Sequence, residues 1–148
     1  MSLQPITLRP ALPSDEPFLL ELRTITMSEH LERIGGPTTE EAHLQRVRHR
    51  YEDANIICSG ETRLGLLKLH RGAAEWHLVQ IQVLPSHQGQ GLGRQVIQAV
   101  LDDARRNRLP VRLSVLHGNP ARQLYERLGF RPTGEDDRET TLTWTPEA

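Results

Sequence analysis

A glycine-rich segment between two apolar stretches constrains the fold of this chain more than any other feature of its sequence. Residues 88–93 read Gln-Gly-Gln-Gly-Leu-Gly. They follow the apolar run Val79–Leu84 and open an amphipathic run that reaches about Asn107, which predicts a strand, a loop and a helix in succession. The first N–H groups of a helix have no partner within it, and glycine lets a ligand approach the backbone closely. The segment therefore predicts a diphosphate-binding site.

Two better-known phosphate loops fit this segment poorly. A P-loop requires Gly, four residues and then Gly-Lys-Ser/Thr, and the chain contains no such run. The dinucleotide fingerprint Gly-x-Gly-x-x-Gly could begin at Gly89, but Arg94 stands where its third glycine should be. The acidic residue expected about twenty positions further on is also missing, because Arg112 and Ser114 lie there instead. These mismatches disfavour a nucleotide-binding oxidoreductase.

A second motif occupies residues 119–130, which read Asn-Pro-Ala-Arg-Gln-Leu-Tyr-Glu-Arg-Leu-Gly-Phe. Asn119 is a good N-cap, Pro120 suits the first helical position and Gly129 suits a left-handed helix end. Leu124 and Leu128 share one face because they lie four residues apart. The motif therefore predicts a short, well-defined helix.

Together the two motifs resemble those of the GCN5-related N-acetyltransferases, the GNAT superfamily. That family carries Gln/Arg-x-x-Gly-x-Gly/Ala in its coenzyme A loop and Asn-x-x-Ala/Ser-x-x-Leu-Tyr-x-x-x-Gly-Phe after its fifth strand. Both patterns occur here in the family's order, with the strand-like segment Val111–Leu116 between them. The resemblance implies an acyltransferase that moves an acetyl group from the cosubstrate acetyl-CoA directly to a primary amine, with no metal.

The expected fold is a single α/β (α+β) domain spanning residues 1–148, with a mixed, mostly antiparallel sheet of six to seven strands and flanking helices. Trp76 and Leu78 alternate with polar neighbours, and so do Ile81 and Val83, but the parity changes between the two pairs. An extra residue near 79–80 would restore the alternation, which predicts a β-bulge. The resemblance implies that this bulged central strand splays from the next one.

The N-terminal half carries ordinary helix and hairpin signals. Ser14 is a candidate N-cap for a helix running to about Glu32, and the glycines at 35 and 36 interrupt it. Thr38 and Glu41 have capping-box spacing for a second helix ending near residue 51. Residues 55–59 and 63–70 then predict a hairpin around Gly60.

The resemblance also assigns chemical roles. Tyr125 is expected beside the coenzyme sulfur as the acid that donates to the departing thiolate. His77 falls where the histone-acetylating branch of the family carries a glutamate base, and Glu75 lies two residues earlier on the same strand face. The alternative is that no side chain acts as the base and that the proton leaves through ordered water. The residues expected to contact the coenzyme are Ile81, Gln82, Val83, Gln88, Gly89, Gln90, Gly91, Leu92, Gly93, Arg94, Asn119 and Arg122.

The acceptor site is expected, by the same resemblance, in the first two helices and their connecting loop. That region contains carboxylates that could hold a cationic amine, namely Glu29, Glu32, Glu40 and Glu41. It also contains cations that could hold a carboxylate, namely Arg23, His30, Arg33 and Arg46. A small polar amine is the expected acceptor; the alternatives are a protein N-terminus or lysine, and a sensor module that binds acetyl-CoA without useful catalysis.

Composition narrows the remaining choices. The net charge of −1 gives no reason to expect nucleic acid or an anionic membrane as a partner. No apolar run approaches the length of a membrane span, so a cytoplasmic protein is expected, and the resemblance makes a homodimer plausible. The single cysteine, Cys58, is expected to be buried and structural. The histidines at 30, 43 and 49 are spaced too irregularly for a metal site and are interpreted as a solvated face.

Overall fold

Strands and helices cover most of the chain in this computed structural model, which describes residues 5–33 and 35–146. Short 3-10 turns at Pro13–Asp15, Tyr51–Asp53 and Pro85–His87 join some of the elements. In chain order the elements are β1 (Ile6–Pro10), α1 (Glu16–Arg33), α2 (Glu40–Arg48), β2 (Ala54–Ser59), β3 (Thr62–Arg71), β4 (Trp76–Val83), α3 (Leu92–Asn107), β5 (Val111–Leu116), α4 (Ala121–Arg127), β6 (Arg131–Glu135) and β7 (Glu139–Trp144).

The seven strands form one sheet in the order β1-β2-β3-β4-β5-β7-β6. Every neighbouring pair is antiparallel except β4 and β5, which are parallel. These two strands pair only at Trp76 with Val111 and at His77 with Arg112, and then they separate. From Leu78 onward, one edge of β4 has no strand beside it within the described residues. The expected mixed, mostly antiparallel and splayed sheet is confirmed.

The predicted bulge is also confirmed, and it lies at Val79. Lys68 of β3 pairs with Gln80, but the next β3 residue, Leu69, pairs with Leu78, so Val79 has no partner on β3. Leu78 before the bulge and Ile81 after it both pack on the face of the sheet covered by α3 and α4. The extra residue therefore keeps the apolar side chains of β4 on one face along the whole strand.

Helices cover both faces of the sheet and bury a separate apolar cluster on each. On one face, Val96, Ile97 and Leu101 of α3 pack against strands β3, β4, β5 and β7. The other cluster includes Leu19 and Leu22 of α1. Fully burying a side chain of this size contributes about 1.5–3 kcal/mol, so the helices hold the sheet from both sides.

Both predicted N-caps in the first half are wrong. Ser14 lies inside the turn Pro13–Asp15 instead, and the Asp15 carboxylate, a stronger acceptor than a hydroxyl, accepts the Leu12 N–H at 2.8 Å. Thr39 rather than Thr38 caps α2, with its Oγ1 accepting the Ala42 N–H at 3.1 Å. This register buries His43 and Val47 of α2.

Helix α2 also ends earlier than expected, at Arg48 rather than near residue 51. The reason is the ammonium of Lys68, which donates to the carbonyls of Arg46, Val47 and His49. Lys68 lies on β3 and is fully buried. A buried cation at these carbonyls satisfies the open end of the helix, so the chain turns away there. Within residues 5–33 and 35–146, no helix combines the length and apolar character needed to cross a bilayer.

Candidate active site

The first cavity of the site lies where β4 ends and α3 begins. Gly89 and Gly91 adopt positive φ angles of 80° and 77°, which glycine accepts without strain, and they turn the chain into α3. A Cβ atom added at Gly89, Gly91 or Gly93 would meet no atom within 4 Å, so the loop borders open space. The N–H groups of residues 92–94 start the helix and have no carbonyl partner within it. This arrangement is suited to an anion.

The cavity has a volume of about 520 Å³ and brings together most of the residues predicted to contact the coenzyme. The predicted residues on its wall are Ile81, Val83, Gln88, Gly89, Gly91, Leu92, Gly93 and Arg94. Six further residues on the wall were not predicted from the sequence, namely His87, Ile97, Ala121, Leu124, Arg127 and Leu128. Three of the six could have been predicted, because the apolar residues at 121, 124 and 128 are spaced to share one helix face.

The remaining predicted contacts lie elsewhere. Gln90 lines neither of the two cavities of the site. Arg122 lines neither cavity, and its guanidinium is paired with Glu126 at 2.6 Å. Gln82 and Asn119 line the second cavity, described next, rather than the first.

Gln88 lines the first cavity, and its side chain also has a structural role. The side-chain amide donates to the Val83 carbonyl at 2.9 Å and so fastens the loop to the end of β4.

The second cavity, about 410 Å³, opens on the other side of the splayed strands. Its walls are the inner faces of α1 and α2, the separated parts of β4 and β5, and the turn between β6 and β7. The charged side chains on its wall are Arg23, Arg46, Asp136, Arg138 and Glu139. Asp136 accepts the N–H groups of Arg138 and Glu139, which lowers the pKa of its carboxyl.

Tyr125 lies on the wall of both cavities, a position it shares with Ile81. Helix α4 ends two residues after it, at Arg127. The Tyr125 carbonyl accepts the N–H of Phe130, and the Glu126 carbonyl accepts the N–H of Gly129. This is the Schellman arrangement, with Gly129 in the left-handed region at φ 106°. The helix starts one residue later than predicted, with Pro120 rather than Asn119 at the N-cap position, but the Asn119 side chain still accepts the Ala121 N–H at 2.9 Å. The ends of α4 thus fix the position of the phenol.

The environment of Tyr125 keeps its hydroxyl protonated. The residue is 8% exposed, and its hydroxyl has no hydrogen-bond partner among the residues the structure describes. Burial raises the pKa of Tyr125 to about 12, because the phenolate would lose its hydration. At neutral pH the site therefore presents a neutral O–H donor between the two cavities.

The structure does not bring His77 and Glu75 together with Tyr125. Neither residue lines either cavity. His77 is on the paired part of β4, before the strands separate, and Glu75 is held by Arg112 at 3.0 Å. Burial and the nearby guanidinium of Arg112 lower the pKa of His77. Counting along the strand gave the correct face for these residues but could not show where the splay begins.

Of the histidines at 43 and 49, one is buried rather than on the solvated face expected for both. His43 is 1% exposed and its Nε2 lies 3.0 Å from the Ser28 hydroxyl, whereas His49 is exposed. The side chain of His30 lies outside the described part of the structure. Cys58 is buried, as predicted. Among residues 5–33 and 35–146, no group of three or more His, Cys, Asp and Glu side chains could hold a metal ion.

Comparison with known proteins agrees with this geometry. Residues 32–146 match the family described as the acetyltransferase (GNAT) domain. No curated protein sequence matches the chain.

Three solved structures share this fold but little of the chain's sequence. An acetyltransferase from Thermus thermophilus superposes with a TM-score of 0.78 at 22% identity, covering 98% of this chain and 99% of its own. The PaiA N-acetyltransferase of Thermoplasma acidophilum, solved with coenzyme A, has a TM-score of 0.75 at 16% identity, covering 96% and 99%. The ribosomal-protein-S18-alanine N-acetyltransferase of Escherichia coli has a TM-score of 0.71 at 19% identity, covering 97% and 96%. The family match spans well over half of the chain, and the chain belongs to the GNAT acetyltransferases.

Proposed function

We propose that this acetyltransferase moves an acetyl group from acetyl-CoA directly to the primary amine of a small polar molecule. The observation that carries the proposal is the position of Tyr125, whose ring borders the cavity at the glycine loop on one side and the charged cavity on the other. Direct transfer requires both substrates to reach one point at the same time. The wall that the two cavities share is that point.

The first cavity fits the coenzyme. The N–H groups of residues 92–94 and the open space above Gly91 and Gly93 would receive the diphosphate, with Arg94 adding a positive charge nearby. The unpaired edge of β4 at residues 81–83 leads from that loop towards Tyr125 and would hydrogen-bond the pantetheine arm. When bound, acetyl-CoA supplies the thioester.

Tyr125 acts as a neutral hydrogen-bond donor to the sulfur. Its pKa of about 12 exceeds the reference value of about 8.5 for a thiol, so complete proton transfer to a thiolate would cost roughly 5 kcal/mol. A hydrogen bond to the sulfur as its negative charge develops needs no such transfer and is strong in a buried site. The contribution of Tyr125 is therefore stabilisation of the leaving group before the thiol takes its proton.

The acceptor must lose a proton to become a nucleophile. An alkylamine with a pKa near 10 is neutral in only about one molecule in a thousand at pH 7. Since His77 and Glu75 lie away from both cavities, we assign the proton's path to water in the second cavity, beside the carboxylates of Asp136 and Glu139. These carboxylates would also attract the ammonium form of the acceptor.

A screen of thiol release against amines tests the proposal. Purified protein is mixed with acetyl-CoA and with amino acids, alkylamines, polyamines or peptides that have free N-termini, and free coenzyme A is measured. Release that depends on a small amine supports the proposal, whereas release with peptides alone would make the protein an acetyltransferase of protein N-termini.

A thermal-shift titration with acetyl-CoA, coenzyme A and NADH accompanies the screen. Stabilisation by acetyl-CoA without release on any acceptor would contradict the proposal and indicate a sensor. Stabilisation by NADH alone would indicate an oxidoreductase.

A further inference from the structure

The second cavity contains an arginine that lacks a counterion. Arg23 of α1 is 5% exposed, and its Nε and one terminal nitrogen are buried without a hydrogen-bond partner among the described residues. No carboxylate forms an ion pair with it in that part of the chain. A guanidinium is almost never fully buried unless it is paired, because removing its hydration is costly. The free protein therefore holds a cation that a bound anion would satisfy.

The surroundings of Arg23 make the need for an anion stronger. Burial and the like charge of the Arg46 guanidinium on α2 together lower the pKa of Arg23 to about 10. Arg46 is itself exposed and lines the same cavity, so its long side chain is free to turn towards a ligand. Two guanidinium groups on one wall form a site for a carboxylate, which they can bind with paired hydrogen bonds.

A second unpaired polar group lies on the same cavity wall. Gln82 of β4 is 6% exposed, and both its side-chain nitrogen and its oxygen are buried without partners in the described residues. Buried amides are nearly always hydrogen-bonded, so an unpaired one on a cavity wall indicates a ligand that supplies the missing partners. Gln82 lines only the second cavity, whereas Ile81 before it lines both.

We propose that the acceptor carries a carboxylate next to its amine, and that Arg23 and Arg46 bind this carboxylate while Gln82 hydrogen-bonds the same molecule. The inference rests on the proposed function and narrows its substrate class to amino acids and related amino carboxylates. The anion does not belong to the coenzyme, because Arg23 and Arg46 line the second cavity and not the one at the glycine loop. A cavity of about 410 Å³ has the size of a small-molecule site.

Matched acceptors test the inference. The specificity constant, kcat/KM, is measured at saturating acetyl-CoA for leucine, leucinamide and 3-methylbutylamine, and for lysine, lysinamide and cadaverine. We expect each amino acid to exceed its decarboxylated amine by about 30-fold or more, the effect of one well-desolvated charge pair. Replacing the carboxylate by an amide lowers the pKa of the amine and leaves more of it neutral. The amide therefore has the advantage in nucleophilicity at neutral pH. A higher kcat/KM for the amino acid than for its amide would show that the protein recognises the carboxylate charge.

Arginine variants separate an effect on carboxylate binding from an effect on folding. Arg23→Met keeps a similar volume and should abolish the preference for the amino acid, mainly by raising its KM, while 3-methylbutylamine is little affected. Because the variant removes an uncompensated buried charge, its Tm should stay unchanged or rise. Arg48→Met is the control, since Arg48 lies on α2 but pairs with Glu16 and does not line the cavity. Arg46→Met, at an exposed position, tests the site again without a change in the core.

A binding measurement keeps this inference separate from the proposed function. Calorimetry in the presence of coenzyme A compares N-acetylleucine with N-(3-methylbutyl)acetamide, and requires no turnover. Tighter binding of N-acetylleucine that is lost in Arg23→Met supports the inference even if no amine is acetylated. Equal binding of the two compounds, or a fall in Tm with an equal loss on all acceptors in Arg23→Met, would overturn it and make Arg23 a structural residue.

Discussion

Tyr125 and Phe130 meet edge to face, with ring centroids 5.9 Å apart and ring planes at 61°. The hydrogen bond from the Phe130 N–H to the Tyr125 carbonyl closes the end of α4 around this contact. Phe130 is fully buried in the main core, so the tyrosine ring rests on a rigid support. The contact fixes the phenol on the wall between the two cavities.

Replacing Tyr125 with Phe should lower kcat by about 100-fold, because the variant loses only the hydroxyl that stabilises the leaving thiolate. The KM for acetyl-CoA should change little, since the ring still lines the cavity. Steady-state kinetics with a small amine measures both constants. Tyr51→Phe is the matched control: Tyr51 donates to the Leu12 carbonyl and lines neither cavity. An unchanged kcat in Tyr125→Phe would show that the Tyr125 hydroxyl has no role in the reaction.

Replacing Gly93 with Ala should weaken coenzyme binding without harming the fold. Gly93 lies in the first turn of α3, where alanine is favoured over glycine by up to about 1 kcal/mol, and its added Cβ would meet no protein atom. The methyl group would occupy space assigned to the diphosphate. We expect a Tm that is equal or higher and a raised Kd for coenzyme A in calorimetry.

Gly134→Ala on β6 controls for the substitution itself, because its Cβ would make only an ordinary contact with Thr141 at 3.8 Å. Unaltered coenzyme affinity in Gly93→Ala would place the diphosphate elsewhere.

The pH dependence of the rate should not arise from ionisation of His77. Its pKa is lowered by burial and by Arg112, but its side chain lines neither cavity. The profile of log kcat against pH should therefore keep its shape in His77→Ala, with kcat within a factor of about two. Loss of an acidic limb in that variant, with coenzyme affinity intact, would restore His77 as the base.

Asp15 should make the fold sensitive to acid. The guanidinium of Arg9, at 2.8 and 3.0 Å, holds the pKa of the buried Asp15 carboxyl well below its usual range, against the effect of burial. A carboxyl whose pKa is depressed by folding stabilises the protein fully above the unfolded value of about 3.9 and loses that contribution gradually as the pH falls from there through the lower pKa of the folded state. Asp15→Asn should cost about 2 kcal/mol at pH 7 and less at pH 3, measured by urea unfolding.

Asp102→Asn, which disrupts only the exposed pair with Arg105, should show no comparable pH-dependent difference. An equal loss of stability at pH 7 and pH 3 in Asp15→Asn would show that the ion pair is not its cause.

The parts of the site that the sequence predicted are those set by local patterns. The change of parity between Leu78 and Ile81 located the bulge, and the glycines at 89 and 91 located the turn into α3. Asn119 and Gly129 marked the helix that carries Tyr125. Each of these signals depends on neighbouring residues, so no knowledge of the tertiary structure was required.

What the sequence did not predict depends on which elements pack together. Arg23 could be recognised as a cation near the acceptor region, but its burial follows from the packing of α1 over the sheet. Lys68 did carry a signal, because a lysine inside the apolar run of β3 requires a buried partner. Its partners are carbonyls at the end of α2, which no sequence pattern identifies. The sequence also did not show the point at which β4 and β5 separate, and that point leaves His77 outside both cavities.

The most direct test of this account is a crystal structure with an acetyl-CoA analogue whose thioester cannot be cleaved. We predict the diphosphate at the N–H groups of residues 92–94, and the sulfur within about 3.5 Å of the Tyr125 hydroxyl, a distance at which a hydrogen bond forms. A diphosphate bound away from that turn, or a hydroxyl directed away from the sulfur, would contradict it.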